Sequence, residues 1–339
     1  MNPLPDIIDG AGLTSVWTYL ALFLGASFLM IWRLEALLDH GLEGTALGTL
    51  VMPYCSGLGN LLFVFIIAAR KGPGQDVLTN CLVNNVTNLT LVLGLPALIW
   101  GLNLGPDAKG KKSSARKKSG AVDAETRQQL NRLSLLLTLA AVIFFSGMTW
   151  ALGRDGRLDR GDGLALVALF LFWQCIQVFD VLKYNVRRKH SFGALFYFDV
   201  FLVMLGAYGL YVSIDWLVTW LTAQKAGFVS AANLGWLSGW LMVVPNALIA
   251  FYYAARRRAD IAYASQVCDG HICIPLCLGL SALLAPLPVP TFFETGLAIL
   301  IGAAVLHGLC VIFAQGLPRW LGWPLVAAYA WFVGTGFLS

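Results

Sequence analysis

Ten apolar runs divide the chain, over roughly 14–38, 44–69, 77–101, 130–151, 162–183, 194–219, 229–255, 260–283, 287–314 and 318–338. A helix needs about 20 apolar residues to cross the hydrocarbon core of a bilayer, and every run reaches that length. Backbone inside lipid has no water to bond, so only helices or a closed barrel can span it. A barrel needs alternating strands of about ten residues, whereas these runs are continuous and twice as long. The expected fold class is an all-α polytopic membrane protein with ten transmembrane helices, its partner the lipid bilayer. Little of the 339 residues remains for anything else.

Composition narrows the function classes. Only 12% of residues are charged, against about 25% in a soluble domain, and the mean hydropathy is +0.73. A soluble enzyme, a disordered chain and a nucleic-acid binder are excluded. The seven cysteines form no CxxC pair and all lie in apolar stretches, so they read as packing residues. Residues 1–13 hold two acids and no base, unlike the basic start of a cleavable signal peptide.

Basic residues set the expected orientation. Lys109, Lys111, Lys112, Arg116, Lys117, Lys118, Arg127, Arg132, Lys183, Arg187, Arg188, Lys189, Arg256, Arg257, Arg258 and Arg319 fall on connections 3–4, 5–6, 7–8 and 9–10. The other side holds only Arg70, Lys71, Arg154, Arg157, Arg160 and Lys225. Cytoplasmic connections carry the excess of Lys and Arg, so both termini are expected outside. The polar stretch 102–129 is read as a solvated cytoplasmic anchor, with attraction to anionic headgroups as its functional alternative.

The halves of the chain resemble each other. Asn60 and the downstream FIIAARK match Asn246 and FYYAARR; LGLPAL at 93–98 matches LGLSAL at 278–283; LGA at 24–26 matches LGA at 205–207. Five spans, an odd number, separate equivalent points, so the second copy must be inverted. The expected repeats are 1–183 and 184–339. Inverted repeats are the architecture of secondary transporters, which bind substrate near the midplane at broken helices from both copies. Breaks of that kind are visible. Span two contains Pro53-Tyr54-Cys55-Ser56-Gly57-Leu58-Gly59-Asn60, and span seven contains Pro245-Asn246. Span three carries Asn84, Asn85 and Asn88, and span eight carries Cys268-Asp269-Gly270-His271. Buried amides and acids are costly unless they pair or face a cavity. Cys81, Asn84, Asn85 and Asn88 share one helical face by spacing, as do Asp269, Cys273 and Cys277.

On these residues the sequence resembles the calcium/cation antiporter superfamily, the sodium/calcium exchanger type. That family's two inverted repeats carry G-T-S-L-P-E in spans two and seven, then G-S-N-x-x-N/D running into L-x-L-G-L in spans three and eight. Asn88-Leu-Thr-Leu-Val-Leu-Gly94-Leu fits the end of the signature. The resemblance implies a cation antiporter working by alternating access, with Ser56, Asn60, Asn84, Asn85, Asn88, Asn246, Asp269 and Cys273 at the ion site. It also implies departures. The family's two glutamates fall on Asn60 and Asn246, and its second-copy acid falls on Cys273. Asp269 is the one carboxylate left in the expected centre.

Calcium takes 6–8 oxygen ligands, normally with several carboxylates, and one acid leaves positive charge uncompensated in a low-dielectric site. A monovalent cation such as Na+ would balance Asp269, and a proton could use Asp269 or His271. Cys268, Cys273, Cys277 and His271 offer a softer set for a transition metal, although i, i+5 and i+9 do not converge on one face. Other intramembrane charges have structural readings. Arg33 is expected to snorkel or to pair with Glu35 or Asp39, Asp180 to pair with Lys183, and Asp199 and Asp215 to be solvated near the ends of span six; Glu294 lies in span nine. The sequons at Asn85 and Asn88 lie mid-membrane and are read as empty. No P-loop, dinucleotide fingerprint or catalytic triad is found, so no enzyme and no cofactor beyond a bound cation is expected. The alternative to transport is a membrane scaffold or subunit that kept the fold, lost the glutamates and binds a membrane-protein partner. The compact length suggests a prokaryotic inner membrane.

Overall fold

The computed structural model describes residues 16–39, 52–104, 118–185 and 193–338. Ten membrane-type helices occur among them: α1 (Val16–Asp39), α2 (Met52–Ala69), α3 (Gly74–Trp100), α4 (Lys118–Leu152), α5 (Arg160–Asn185), α6 (Ala194–Ala223), α7 (Leu234–Ala255), α8 (Ala259–Leu284), α9 (Phe293–Ala314) and α10 (Gly322–Leu338). Eight are long and apolar enough to cross a membrane by length and composition. The other two, α2 and α10, have 18 and 17 residues. Outward faces carry Leu171, Phe172 and Phe179 on α5 and Leu195, Phe201 and Met204 on α6, all exposed, as lipid-facing surfaces require.

Two features recur 185 positions apart. α3 widens to a π-turn over Asn88–Val92, and α8 does so over Cys273–Cys277. Each helix ends in a two-residue strand, β1 (Leu102–Asn103) and β3 (Leu287–Pro288). β1 pairs antiparallel with β4 (Gly316–Leu317), and β3 with β2 (Arg157–Leu158). Gly316 has φ +142°, a conformation that a side chain rarely adopts.

The chain packs as two units, each drawing on both halves of the sequence. The first comprises residues 1–84, 152–245 and 272–290. In it α1 lies along α6, where a methyl group on Gly206 would meet Met30 Cγ at 2.5 Å and Tyr19 stacks on Trp216 with centroids 3.9 Å apart. α5 meets the end of α8 through Gly163 and Gly279; a methyl group on Gly163 would lie 2.8 Å from the Gly279 carbonyl. Gly235 and Gly239 bring α7 against α3 in the same way, next to Thr79 and Val83. Small residues let helix backbones approach closely, which in lipid replaces the missing hydrophobic drive.

Ion pairs of this unit correct two sequence expectations. Arg33 pairs with Asp199 of α6 at 3.1 Å, and Arg70 pairs with Asp215 while reaching Thr219 Oγ1 at 2.6 Å. Neither acid is simply solvated, because a guanidinium across the helix interface compensates each one. The side chains of Ser56, Glu35, Asp39, Asp180 and Lys183 lie outside the described set.

The second unit comprises residues 85–151, 246–271 and 291–339. Gly94 and Gly322 seat α3 on α10, with a methyl group on Gly322 meeting the Gly94 carbonyl at 2.6 Å. Arg132 donates to the Val311 carbonyl at 2.7 Å. α4 starts at Lys118, well before the span expected from residue 130. Its early residues, GAVDAETRQQL, are mostly good helix formers, so the helix runs beyond its apolar stretch. Residues 105–117 of the basic connection lie outside the described set.

Candidate functional site

In the second unit three of the expected site residues meet. Asp269 is fully buried on α8. Its Oδ2 accepts Nδ2 of Asn88 from α3 at 3.0 Å and Nδ2 of Asn246 from α7 at 3.4 Å. Two buried carboxamides thus meet one carboxylate. Hydrogen bonds to a charged acceptor are worth roughly twice neutral ones, which makes this an effective cradle for an ionised acid. A methyl group on Gly270 would lie 3.0 Å from Asn85 Oδ1, so the Asn85 amide lies over the α8 backbone there.

Local backbone geometry puts Asn88 in place. It opens the π-turn of α3, and a π-turn interrupts the regular hydrogen-bond ladder. Thr90 Oγ1 bonds the Val86 carbonyl. The Leu89 carbonyl receives Nε2 of His307 at 2.7 Å, and Nδ1 of the same ring lies 3.1 Å from the Tyr263 hydroxyl. His271 turns elsewhere: its Nε2 lies 3.0 Å from the Thr138 carbonyl, with its ring edge-on to Phe145.

Gln266, one turn before Asp269, is 1% exposed. Its Nε2 donates to the Asn246 carbonyl at 3.0 Å and to Ser265 Oγ at 2.9 Å. Its Oε1 and Asn88 Oδ1 are buried oxygens that accept no hydrogen bond among the described residues.

The first unit holds a different cluster. Asn84 Nδ2 donates to Cys273 Sγ at 3.3 Å, and Cys81, Cys273 and Cys277 are all buried. Asn80 Nδ2 donates to Ser238 Oγ at 3.0 Å. Asn60 is buried, and neither its Oδ1 nor its Nδ2 makes a hydrogen bond among the described residues. The face expected for Cys81, Asn84, Asn85 and Asn88 is the one that meets α8: Asn84 bonds Cys273, Asn85 lies over Gly270 and Asn88 bonds Asp269. Among the described residues no group of three or more His, Cys, Asp or Glu side chains is placed to hold a metal ion. The soft set of Cys268, His271, Cys273 and Cys277 does not converge.

Sequence reasoning missed Gln266, Tyr263 and His307 as parts of this arrangement. A signal existed for Gln266, an amide in an apolar run at i−3 from Asp269. For His307 there was none, since nothing in span nine points to Leu89.

Residues 12–179 match the sodium/calcium exchanger protein family. The sodium-calcium exchanger NCX_Mj, in crystals soaked with 2.5 mM Na+ and 1 mM Sr2+, superposes with a TM-score of 0.64 at 20% identity, covering 94% of this chain and 96% of that one. The H+/Ca2+ exchanger CAX superposes with a TM-score of 0.65 at 16% identity, covering 97% and 84%. No curated protein matches the chain. These likenesses establish an exchanger-type fold in an integral membrane protein.

Proposed function

We propose that this chain, a divergent member of the calcium/cation antiporter superfamily, is a secondary transporter exchanging a monovalent cation, Na+ or H+, at Asp269. The observation that carries the reading is the carboxylate of Asp269 held between the amides of Asn88 and Asn246. Its charge matches a monovalent ion. A divalent ion would keep one positive charge in a low-dielectric interior, which is costly, and hard divalent ions normally take several carboxylates.

The amides suit such a cycle. With the acid ionised they donate N–H to it. Each carboxamide also carries an acceptor oxygen, and its terminal torsion is broad, so a half-turn presents that oxygen to an arriving cation. Na+ and H+ compete for one carboxylate. The ionised, empty site is the state least tolerated in hydrocarbon, so the protein reorients with either ion bound and exchange results. Asn88 comes from the first proposed repeat, 1–183, and Asn246 and Asp269 from the second, 184–339. The charge bias of the connections supports cytoplasmic basic loops and external termini, and the resemblance to the exchangers is what suggests a prokaryotic inner membrane.

Proteoliposomes with an imposed Na+ gradient and an internal pH dye test the reading. Wild-type protein should move protons against the Na+ gradient, and Asp269→Asn should abolish that flux. Undiminished flux in the variant removes the assigned site. No flux from wild type, together with a constant co-purifying partner, favours the scaffold alternative.

A further inference from the structure

We infer that Gln266 is a further cation ligand, supplying a fixed neutral oxygen that tunes the site for a monovalent ion. This rests on the transport reading above.

The argument begins with how the side chain is held. Gln266 is 1% exposed and lies one helical turn from Asp269 on α8, at i, i+3, hence on the same face. Its Nε2 is engaged by the Asn246 carbonyl and by Ser265 Oγ. With the nitrogen anchored at two points, the amide does not rotate freely. Its oxygen points one way, buried and accepting no hydrogen bond among the described residues. A buried acceptor left without a donor is costly, and a bound cation would relieve that cost.

The anchor also connects Gln266 to the established cluster. The residue whose backbone it grips, Asn246, is the one whose side chain donates to Asp269. Asn88 contributes a second buried oxygen without a hydrogen bond. One carboxylate and two neutral carbonyl oxygens form the kind of hard-oxygen set that a dehydrated alkali cation accepts. The two amides have different duties. Asn88 donates to the acid and must turn to bind a cation, whereas Gln266, its nitrogen held by the Asn246 carbonyl and Ser265, keeps an oxygen that accepts no hydrogen bond among the described residues.

Two substitutions test the assignment in the Na+-driven proteoliposome assay. Gln266→Met keeps the length and removes the oxygen; it should raise the Na+ concentration for half-maximal flux about tenfold. Gln266→Glu adds a second carboxylate one turn from Asp269 and should introduce Ca2+- or Sr2+-sensitive flux that wild type lacks. An unchanged Na+ dependence in Gln266→Met overturns the inference. So does a fall in maximal flux and thermal stability without a shift in Na+ dependence, because a plain tie between α7 and α8 would do that. Asp269→Asn separates the two ideas. If that variant still transports, the underlying reading fails; if it is dead while Gln266→Met behaves as wild type, only the Gln266 assignment fails.

Discussion

His307 Nε2 lies 2.7 Å from the Leu89 carbonyl, joining residues 218 positions apart. The carbonyl belongs to the π-turn that starts at Asn88, where the regular helical ladder is broken. The ring's other nitrogen meets Tyr263 at 3.1 Å, so both nitrogens are used and Nε2 carries the proton given to Leu89. His307 thus braces the backbone next to Asn88, whose side chain donates to Asp269.

Replacing His307 should accordingly disturb ion binding as well as stability. His307→Phe leaves the Leu89 carbonyl buried without its donor, at a cost of about 1–3 kcal/mol, and should lower the melting temperature in detergent. It should also weaken half-maximal Na+ dependence severalfold, because the turn bearing Asn88 loosens. His307→Gln retains a donor and should recover most of both effects. Tyr263→Phe removes only the outer contact and should do little. A His307→Phe protein with lowered stability and wild-type Na+ dependence would reduce the histidine to a packing residue.

What was legible in the sequence was whatever leaves a mark on a single helix. The ten spans follow from apolar length, and the polar breaks at Asn88, Asn246 and Asp269 from their cost in hydrocarbon. The repeat made Asn60, Asn88, Asn246 and Asp269 one expected site, but not the hydrogen bonds that join three of them. The π-turns were not legible, because α3 and α8 are buried on most sides and carry no clear polar stripe whose phase shift would mark an extra residue. Asn88 meets Asp269 and Asn84 meets Cys273, and the partners are four residues apart on each helix, as plain helical spacing gives. The Arg33–Asp199 pair was also missed. Glu35 and Asp39 lie near Arg33 in sequence, whereas its partner is 166 residues away.

That pair makes a direct stability prediction. The side chains of Arg33 and Asp199 are 14% and 6% exposed, so removing one leaves the other charge buried and uncompensated. Arg33→Met alone should destabilise by roughly 3 kcal/mol, the scale for breaking a buried pair. The double variant Arg33→Met, Asp199→Leu should recover much of that loss, since well-packed apolar residues often replace such a pair at little cost. Thermal unfolding of the detergent-solubilised proteins measures it. A double variant as unstable as the two single ones added together would show that the residues act independently.

The last prediction concerns pH and the start of α5. Asp159 precedes the helix, and its Oδ1 accepts the backbone N–H of Gly161 at 2.7 Å and of Asp162 at 3.1 Å. Asp162 Oδ2 returns a bond to the Asp159 N–H at 2.8 Å, which makes a reciprocal capping box. The N–H groups of Asp162 and Gly161 hold the Asp159 carboxyl below its ordinary value of 3.8. A pKa that is lower in the folded state means that folding favours the ionised form. The contribution to stability is therefore fully present above the unfolded value and is lost as pH falls through the lowered folded value. Asp159→Ala should be less stable than wild type by a constant margin across the neutral range, and that margin should shrink once the pH drops below about 4. Asp159→Asn, which caps without ionising, should track wild type near neutrality and lose nothing by protonation in acid. Melting temperatures of the three proteins between neutral pH and pH 3 decide the point, and a margin for Asp159→Ala that persists undiminished at the acid end would show that its charge plays no part.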